Sequence, residues 1–179
     1  MNPANGASRR QHAGQKKHYA IRTHQPGDMG LITHRHGVVY ARDLNWPPPF
    51  EAMVGRITAS FLDNYDPSAE RCWVAERTAD GAFLGSIMLV RETGVAGAAR
   101  LRVLLVEEDA RGMGLGGELV RRCLEFAREA GYERVLLMTA RVLEGARRLY
   151  KKEGFELVSA KDDDSFGEAV VQEHWELTL

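Results

Sequence analysis

Residues 100–118 read RLRVLLVEEDARGMGLGGE, and the fold turns on how this stretch is understood. Leu101 to Val106 is an apolar, branched run of strand character that ends in Leu104, Leu105 and Val106. A short acidic turn, Glu107 to Asp109, follows. Then come Arg111 and the run Gly112-Met113-Gly114-Leu115-Gly116-Gly117, and a helical pattern opens at once with Glu118, Leu119 and Val120. Glycine reaches left-handed backbone angles and lets a ligand come close to the chain. The free N–H groups and positive dipole end of a helix start attract an anion. A strand that enters a glycine-rich turn at a helix start therefore marks a site for a phosphate-bearing ligand. Arg111 stands ready to face a phosphate.

On the upstream side, Arg71 to Thr78 and Ala82 to Arg91 read as two strands joined by Ala79-Asp80-Gly81, a hairpin signal. They lead into the opening strand as a meander. Further upstream, Tyr19 to His24 alternates as a first strand, and Pro26-Gly27-Asp28 marks a turn and a helix start. A weakly helical segment runs from Met29 to Arg42 and is broken by Asn45-Trp46-Pro47-Pro48-Pro49. Phe50 to Tyr65 is a second helix, with Phe50, Met53, Val54, Ile57, Phe61 and Leu62 expected on its inner face. Downstream, a helix runs from Gly117 to Ala130 and stops at Gly131. Arg134 to Thr139 reads as a strand buried on both faces. Leu143 to Glu153 is helical, and Gly154 closes it. Phe155 to Ser159 and Val170 to Leu179 form a final antiparallel pair around an acidic, flexible Lys161 to Gly167. The fold class is mixed α/β, with one central sheet of about seven strands and four helices.

A length of 179 residues suits one well-cored domain. Residues 1–18 read as a disordered tail and 19–179 as the domain. The tail holds four basic residues and no acid, which leaves 20 of the 24 basic residues against all 25 acidic ones in the domain. That mildly acidic body argues against a nucleic-acid-binding protein. Cys72 and Cys123 read as buried free thiols, which implies a reducing, cytoplasmic setting. No metal-ligand spacing involves them, and no apolar run has membrane-spanning length.

Taken literally, Gly112 to Gly117 satisfies the dinucleotide pattern G-x-G-x-x-G. That reading requires the first turn of a βαβ unit and an acid about twenty residues on. Here the turn follows the fourth strand, and the next strand ends Met138-Thr139-Ala140 without an acid. No Gly-Lys-Ser/Thr follows either, which excludes a P-loop. Arg111 to Gly116 instead resembles the R/Q-x-x-G-x-G/A signature of the GCN5-related N-acetyltransferase superfamily. Ala146-Arg147-Arg148-Leu149-Tyr150-Lys151-Lys152-Glu153-Gly154-Phe155 is similar to that family's A-x-x-L-Y-x-x-x-G-F block. A closer likeness, to the acetyltransferase half of bacterial MarR–acetyltransferase fusion regulators, rests on four stretches. They are Cys72 to Glu76, Leu101 to Glu107, His34 to Tyr40 and the ending Phe166-Gly167…Glu173-His174-Trp175-Glu176-Leu177. The segment before the first strand is too short for a winged helix-turn-helix, so a free-standing enzyme, or a piece cut from a larger regulator, is expected. Leu143 stands where many family members have Asn.

The resemblance implies a sheet splayed between its fourth and fifth strands and acetyl-CoA as co-substrate, with no metal. The backbone of Arg111 to Gly117 would hold the pyrophosphate, and that of Leu104, Leu105 and Val106 the pantetheine and thioester. Tyr150 would be the general acid for the leaving thiolate. The base is open among Glu107, His36, Glu108, Glu76, His34 and a water chain. Tyr40, Trp46 and Phe50 offer an aromatic wall for the acceptor, with Trp46 and Phe50 equally suited to the core, and Arg102 could meet a carboxylate. The expected acceptor is the amine of a small molecule or protein, and the expected assembly a monomer or homodimer. A non-catalytic acyl-CoA-sensing module is the alternative.

Overall fold

The computed structural model describes residues 18–164 and 169–179. The N-terminal tail, apart from His18, and residues 165–167 of the expected acidic linker lie outside them. Strand β1 (Tyr19–Thr23) leads to helices α1 (Asp28–Leu44) and α2 (Pro48–Asn64). The meander β2 (Arg71–Arg77), β3 (Phe83–Arg91) and β4 (Ala98–Val106) follows. After a 3₁₀ turn at Glu108–Ala110 come α3 (Leu115–Glu129), β5 (Arg134–Ala140), α4 (Glu144–Lys152), β6 (Glu156–Asp163) and β7 (Val170–Thr178). The seven strands form one sheet in the order β1-β2-β3-β4-β5-β7-β6. All neighbours are antiparallel except β4 and β5.

Alternation along the strands divides the core in two. Trp73 and Ala75 of β2 and Ile87 and Leu89 of β3 pack with Leu119, Val120, Cys123 and Ala127 of α3. Their neighbours Cys72, Val74 and Met88 face the other way, against Met29 and Ile32 of α1 and Phe61 of α2. Period 2 on the strands and 3.6 on the helices thus place α1 and α2 on one face and α3 on the other.

Several details differ from the sequence expectation. Leu62 is 54% exposed, because it follows the buried Phe61 and turns about 100° away from the core stripe. The three prolines do break the chain after α1, but Pro48 and Pro49 then enter the first turn of α2, where an N–H has no helical partner to lose. Within the expected Pro26-Gly27-Asp28 turn, Gly27 is the N-cap of α1. Asp28 is buried, and Arg22 donates to it at 2.6 Å. The inner edge of the acidic linker is ordered, since β6 continues through Lys161 to Asp163. Strand β5 is not covered on both faces. Val135 and Leu137 are buried, while Leu136 and Met138 are half-buried and Met138 faces a cavity.

That cavity exists because β4 and β5 part company. They pair only from Ala98–Arg134 to Arg100–Leu136, and β5 then continues along β7. Beyond Arg100, β4 has no ladder partner on its β5 side. The strand also bulges there. Met88 faces Arg102 and Ser86 faces Leu105, so Val103 and Leu104 together oppose Ile87. Val103 sits at φ +44°, a costly angle for a β-branched residue, and its carbonyl accepts the Ser86 hydroxyl at 3.1 Å. Strain of this kind persists where the surroundings over-determine it and gathers at functional sites.

Gly85 sets how closely β3 approaches the end of β4. A Cβ at this position would lie 2.5 Å from the Leu105 carbonyl oxygen. Gly85→Ala is therefore expected to lower stability by about 1–3 kcal/mol. The urea unfolding midpoint measures this, and an unchanged midpoint would refute the packing argument.

Candidate active site

The glycine turn and the end of β4 line a groove of about 840 Å³. Gly112 and Gly114 both have φ +79°, and a Cβ at either would meet nothing within 4 Å. Their need is conformational, and their small size leaves the groove floor open. Gly114 is the N-cap of α3, with no side-chain cap, so the first N–H groups of that helix face the groove unclaimed by a capping side chain. Gly116 is tight for another reason, since its Cβ would press on Leu149 at 3.2 Å. Of the residues expected in this cradle, Arg111, Gly112, Gly114, Leu115 and Gly116 line the groove with Leu104, Leu105 and Val106. Met113 and Gly117 are not among the lining residues. The Met113 side chain is exposed, and Gly117 backs onto the Arg121–Glu153 ion pair.

Arg111 projects from the loop at half exposure. Its Nη2 donates to Asp43 at 3.1 Å, and its Nε contacts the Val106 carbonyl at 3.4 Å. Asp43 lies at the end of α1, and Arg42 and Arg111 hold its carboxyl below the ordinary range. The groove wall opposite the loop comes from α4 and the turn before it, with Leu143, Ala146 and Arg148. Arg148 is a cation at this wall that its position in the A-x-x-L-Y block did not single out. A groove with a left-handed glycine floor, a helix N-terminus and two arginines fits a phosphate-bearing ligand.

A second, smaller chamber of about 100 Å³ lies beyond the parted strands. Tyr40, Leu104, Leu143 and Ala146 line both cavities, so the two meet at the bulged end of β4. Tyr150, His36, Trp46, Phe50 and Arg102 line the chamber. The αL cap at Asn45 turns the chain back, and the Trp46 N–H bonds the Tyr40 carbonyl at 3.2 Å. That return stacks Trp46 on Tyr40 with ring centres 5.0 Å apart, and Phe50 lies 4.7 Å from Tyr40. Trp46 and Phe50 are thus both core residues and chamber wall. Tyr150 is 4% exposed and packs edge-on against Phe155. Burial first, and then the neighbouring Tyr40, push its phenol well above the usual value. Burial likewise pushes the Tyr40 phenol up to about 12.

His36 is buried, and its Nδ1 lies 2.8 Å from the Ile32 carbonyl. A carbonyl only accepts, so the proton sits on Nδ1 and Nε2 carries a free lone pair. That Nε2 is buried without a partner. Burial pushes the imidazole down to about 4, outweighing the Ile32 carbonyl and Glu107. The unfolded chain would take up this proton near 6.5, the ordinary histidine value. The His36 contribution to stability is therefore complete above pH 6.5 and lost as pH falls toward 4, by up to about 3 kcal/mol. Thermal melts from pH 7 to 4 are expected to show a steeper loss in wild type than in His36→Gln. Parallel curves would sink this assignment.

Glu107 is placed differently. Arg35 grips it with two hydrogen bonds of 2.7 and 2.9 Å, and it lines neither cavity. His34 is exposed on α1 and Glu108 exposed in the 3₁₀ turn. Glu76 receives a hydrogen bond from Arg22. Of the acid–base candidates, the structure brings only Tyr150 and His36 to the chamber. Among the described residues, no group of three His, Cys, Asp or Glu side chains is placed to hold a metal ion.

Comparison with known proteins agrees with this architecture. The chain belongs to the acetyltransferase (GNAT) family, whose model matches residues 38–155. It is 35% identical over 103 residues to N-acetyltransferase 8 of Rattus norvegicus, a match covering 56% of this chain and 44% of that protein. The chain thus spans less than half the length of that relative. A GNAT-family acetyltransferase from Staphylococcus aureus superposes with a TM-score of 0.72 at 16% identity, over 90% of this chain and 99% of the other. The Salmonella typhimurium protein yncA, solved with its cofactor acetyl-CoA, gives 0.70 at 18% identity over 91% and 95%.

Proposed function

We propose that this chain is an acetyl-CoA-dependent N-acetyltransferase that acts by direct attack of a primary amine of a small molecule or protein. The observation that carries the reading is the junction of two cavities at the unpaired, bulged end of β4. One cavity suits a phosphate-bearing carrier, and the other is lined by Tyr150 and by His36, whose Nε2 is buried without a partner. Bound acetyl-CoA supplies the thioester whose acetyl group the amine takes.

The residues divide the work. The glycine turn, the N-terminus of α3 and Arg111 anchor phosphates. Free backbone N–H groups near Leu104 to Val106 offer donors to a developing oxyanion, an effect typically worth about 3 kcal/mol. His36, neutral at pH 7, accepts an N–H from the amine and aims its lone pair. It is too weak a base to carry the proton away, so that proton leaves by water. The Tyr150 hydroxyl donates to the departing thiolate. Burial keeps the phenol protonated at neutral pH, so its proton is present when the thiolate departs.

Incubation with acetyl-CoA and an amine panel, with free thiol followed over time, tests this. Acceptor-dependent thiol release is expected. Calorimetric CoA binding with no turnover of any amine would replace the reading with an acyl-CoA-sensing module of the kind its likeness to MarR fusion regulators suggests.

A further inference from the structure

Arg102 is the one guanidinium on the chamber wall, and among the described residues its charge is offset only at a distance, by a Glu92 already paired with Arg100. Among the described residues no hydrogen bond or ion pair engages it, although it is half-buried on β4. Its neighbours fare otherwise. Arg100 pairs with Glu92, and Arg91 donates to Asp66 at 3.2 Å. Desolvation first, and then Arg100, lower its pKa, and the more distant Glu92 offsets them only in part. An unanswered, partly desolvated cation is costly to a fold unless a ligand completes it.

The surroundings narrow the ligand. None of the residues lining the chamber is acidic. An acceptor with several ammonium groups would find a guanidinium and no counter-charge. Arg102 also lines an outer groove of about 820 Å³, and the chamber and this groove share Met53 and Ile57 as well. In the groove, Asp66 and Glu92 have their arginines. Glu70 turns one oxygen to the Arg91 N–H at 3.1 Å and buries the other without a partner. Arg56, also on the groove, has no ion pair among the described residues. The groove lining thus holds Arg56, Arg91, Arg100 and Arg102 against Asp66, Glu70 and Glu92, with Arg102 and Arg56 the two arginines outside the ion pairs among the described residues. Along β4, Arg102 lies two residues before Leu104, roughly 7 Å. That is within reach for a molecule whose amine and carboxylate sit on one carbon. Around Arg102 the wall is apolar, from Met53, Val54, Ile57 and the aromatic cluster.

We propose that the acceptor is an amino acid with an apolar side chain, its carboxylate on Arg102 and its amine turned toward His36 and the end of β4. This rests on the transferase reading above and names its substrate class. A guanidinium takes a carboxylate through two parallel N–H donors, which lysine cannot reproduce.

The test uses matched pairs: glycine, leucine, methionine and phenylalanine, each against its amide, with spermidine as a polyamine. Thiol release from acetyl-CoA gives kcat/KM. Calorimetric titration of each compound into the protein saturated with CoA gives binding without chemistry. In the favoured pair the amino acid is expected to exceed its amide by on the order of 100-fold in kcat/KM, mostly through KM. The comparison is conservative, because the amide's amine loses its proton more readily and chemistry alone favours it. Arg102→Gln is expected to bring the ratio toward one, and Arg102→Lys to recover part of it. Equal values within every pair in both measurements, or spermidine as the best acceptor, overturn the proposal. Thiol release indifferent to the carboxylate removes the Arg102 site and keeps the transferase. Carboxylate-dependent binding without thiol release keeps the site and removes the transferase.

Discussion

Tyr150→Phe is expected to lower kcat by about 100-fold or more while leaving CoA affinity within about twofold, since a positioned acid typically contributes 10²–10⁴. The change removes one oxygen from a 4%-exposed ring and keeps its packing on Phe155. Stability should barely move, so lost turnover cannot be traced to unfolding. The pH profile gives a second check. The phenol is held well above its usual value by burial, so it stays protonated across the working range. His36 is pushed down to about 4 and stays neutral above about pH 5. Neither group then bends the profile between pH 6 and 9, where kcat/KM should climb with the acceptor's own deprotonation. Full activity in Tyr150→Phe would require another source for the thiolate's proton.

Glu173→Ala is expected to cost about 3–5 kcal/mol, the range for breaking a buried ion pair. Glu173 is fully buried in β7, and three donors converge on it. Arg147 of α4 lies at 2.8 Å, Arg141 of the preceding turn at 3.3 Å, and the Trp175 indole N–H at 3.2 Å. Removing the carboxylate leaves an indole donor buried without an acceptor and two arginines without their anchor. For a domain of this size the melting temperature should fall on the order of 10 °C. The same carboxylate ties α4, and so Tyr150, to the sheet. Activity should therefore drop even below the melting range, and Glu173→Gln, which keeps an acceptor oxygen, should lose less of both. A melting shift under about 2 °C for the alanine variant would contradict this account.

The sequence made the glycine turn plain because its chemistry is local. Gly112 and Gly114 need left-handed angles whatever packs around them, and a helix start follows directly. The succession of elements was legible too, but not the seating of β7 between β5 and β6. What stayed hidden depends on neighbours far along the chain. Glu173 reads as one polar position in an alternating strand, yet it is a fully buried anchor. Gly85 carries no local signal, because its need comes from the Leu105 carbonyl twenty residues on. Glu107 and His36 looked like equal bases. Only the fold shows Arg35 closed around one and a free lone pair on the other. Arg102 could be named from sequence, but its want of a partner is a property of the whole surface around it.

Asp43 and an incoming phosphate compete for the same guanidinium on Arg111. Asp43 ends the helix that also bears His36 and Tyr40, two walls of the acceptor chamber. On the proposed reading, loading the carrier would loosen that clasp on α1. An exposed pair of this kind is worth at most about 1 kcal/mol, so the linkage is a few-fold bias and no gate. Raised salt is expected to weaken the pair and the bias with it.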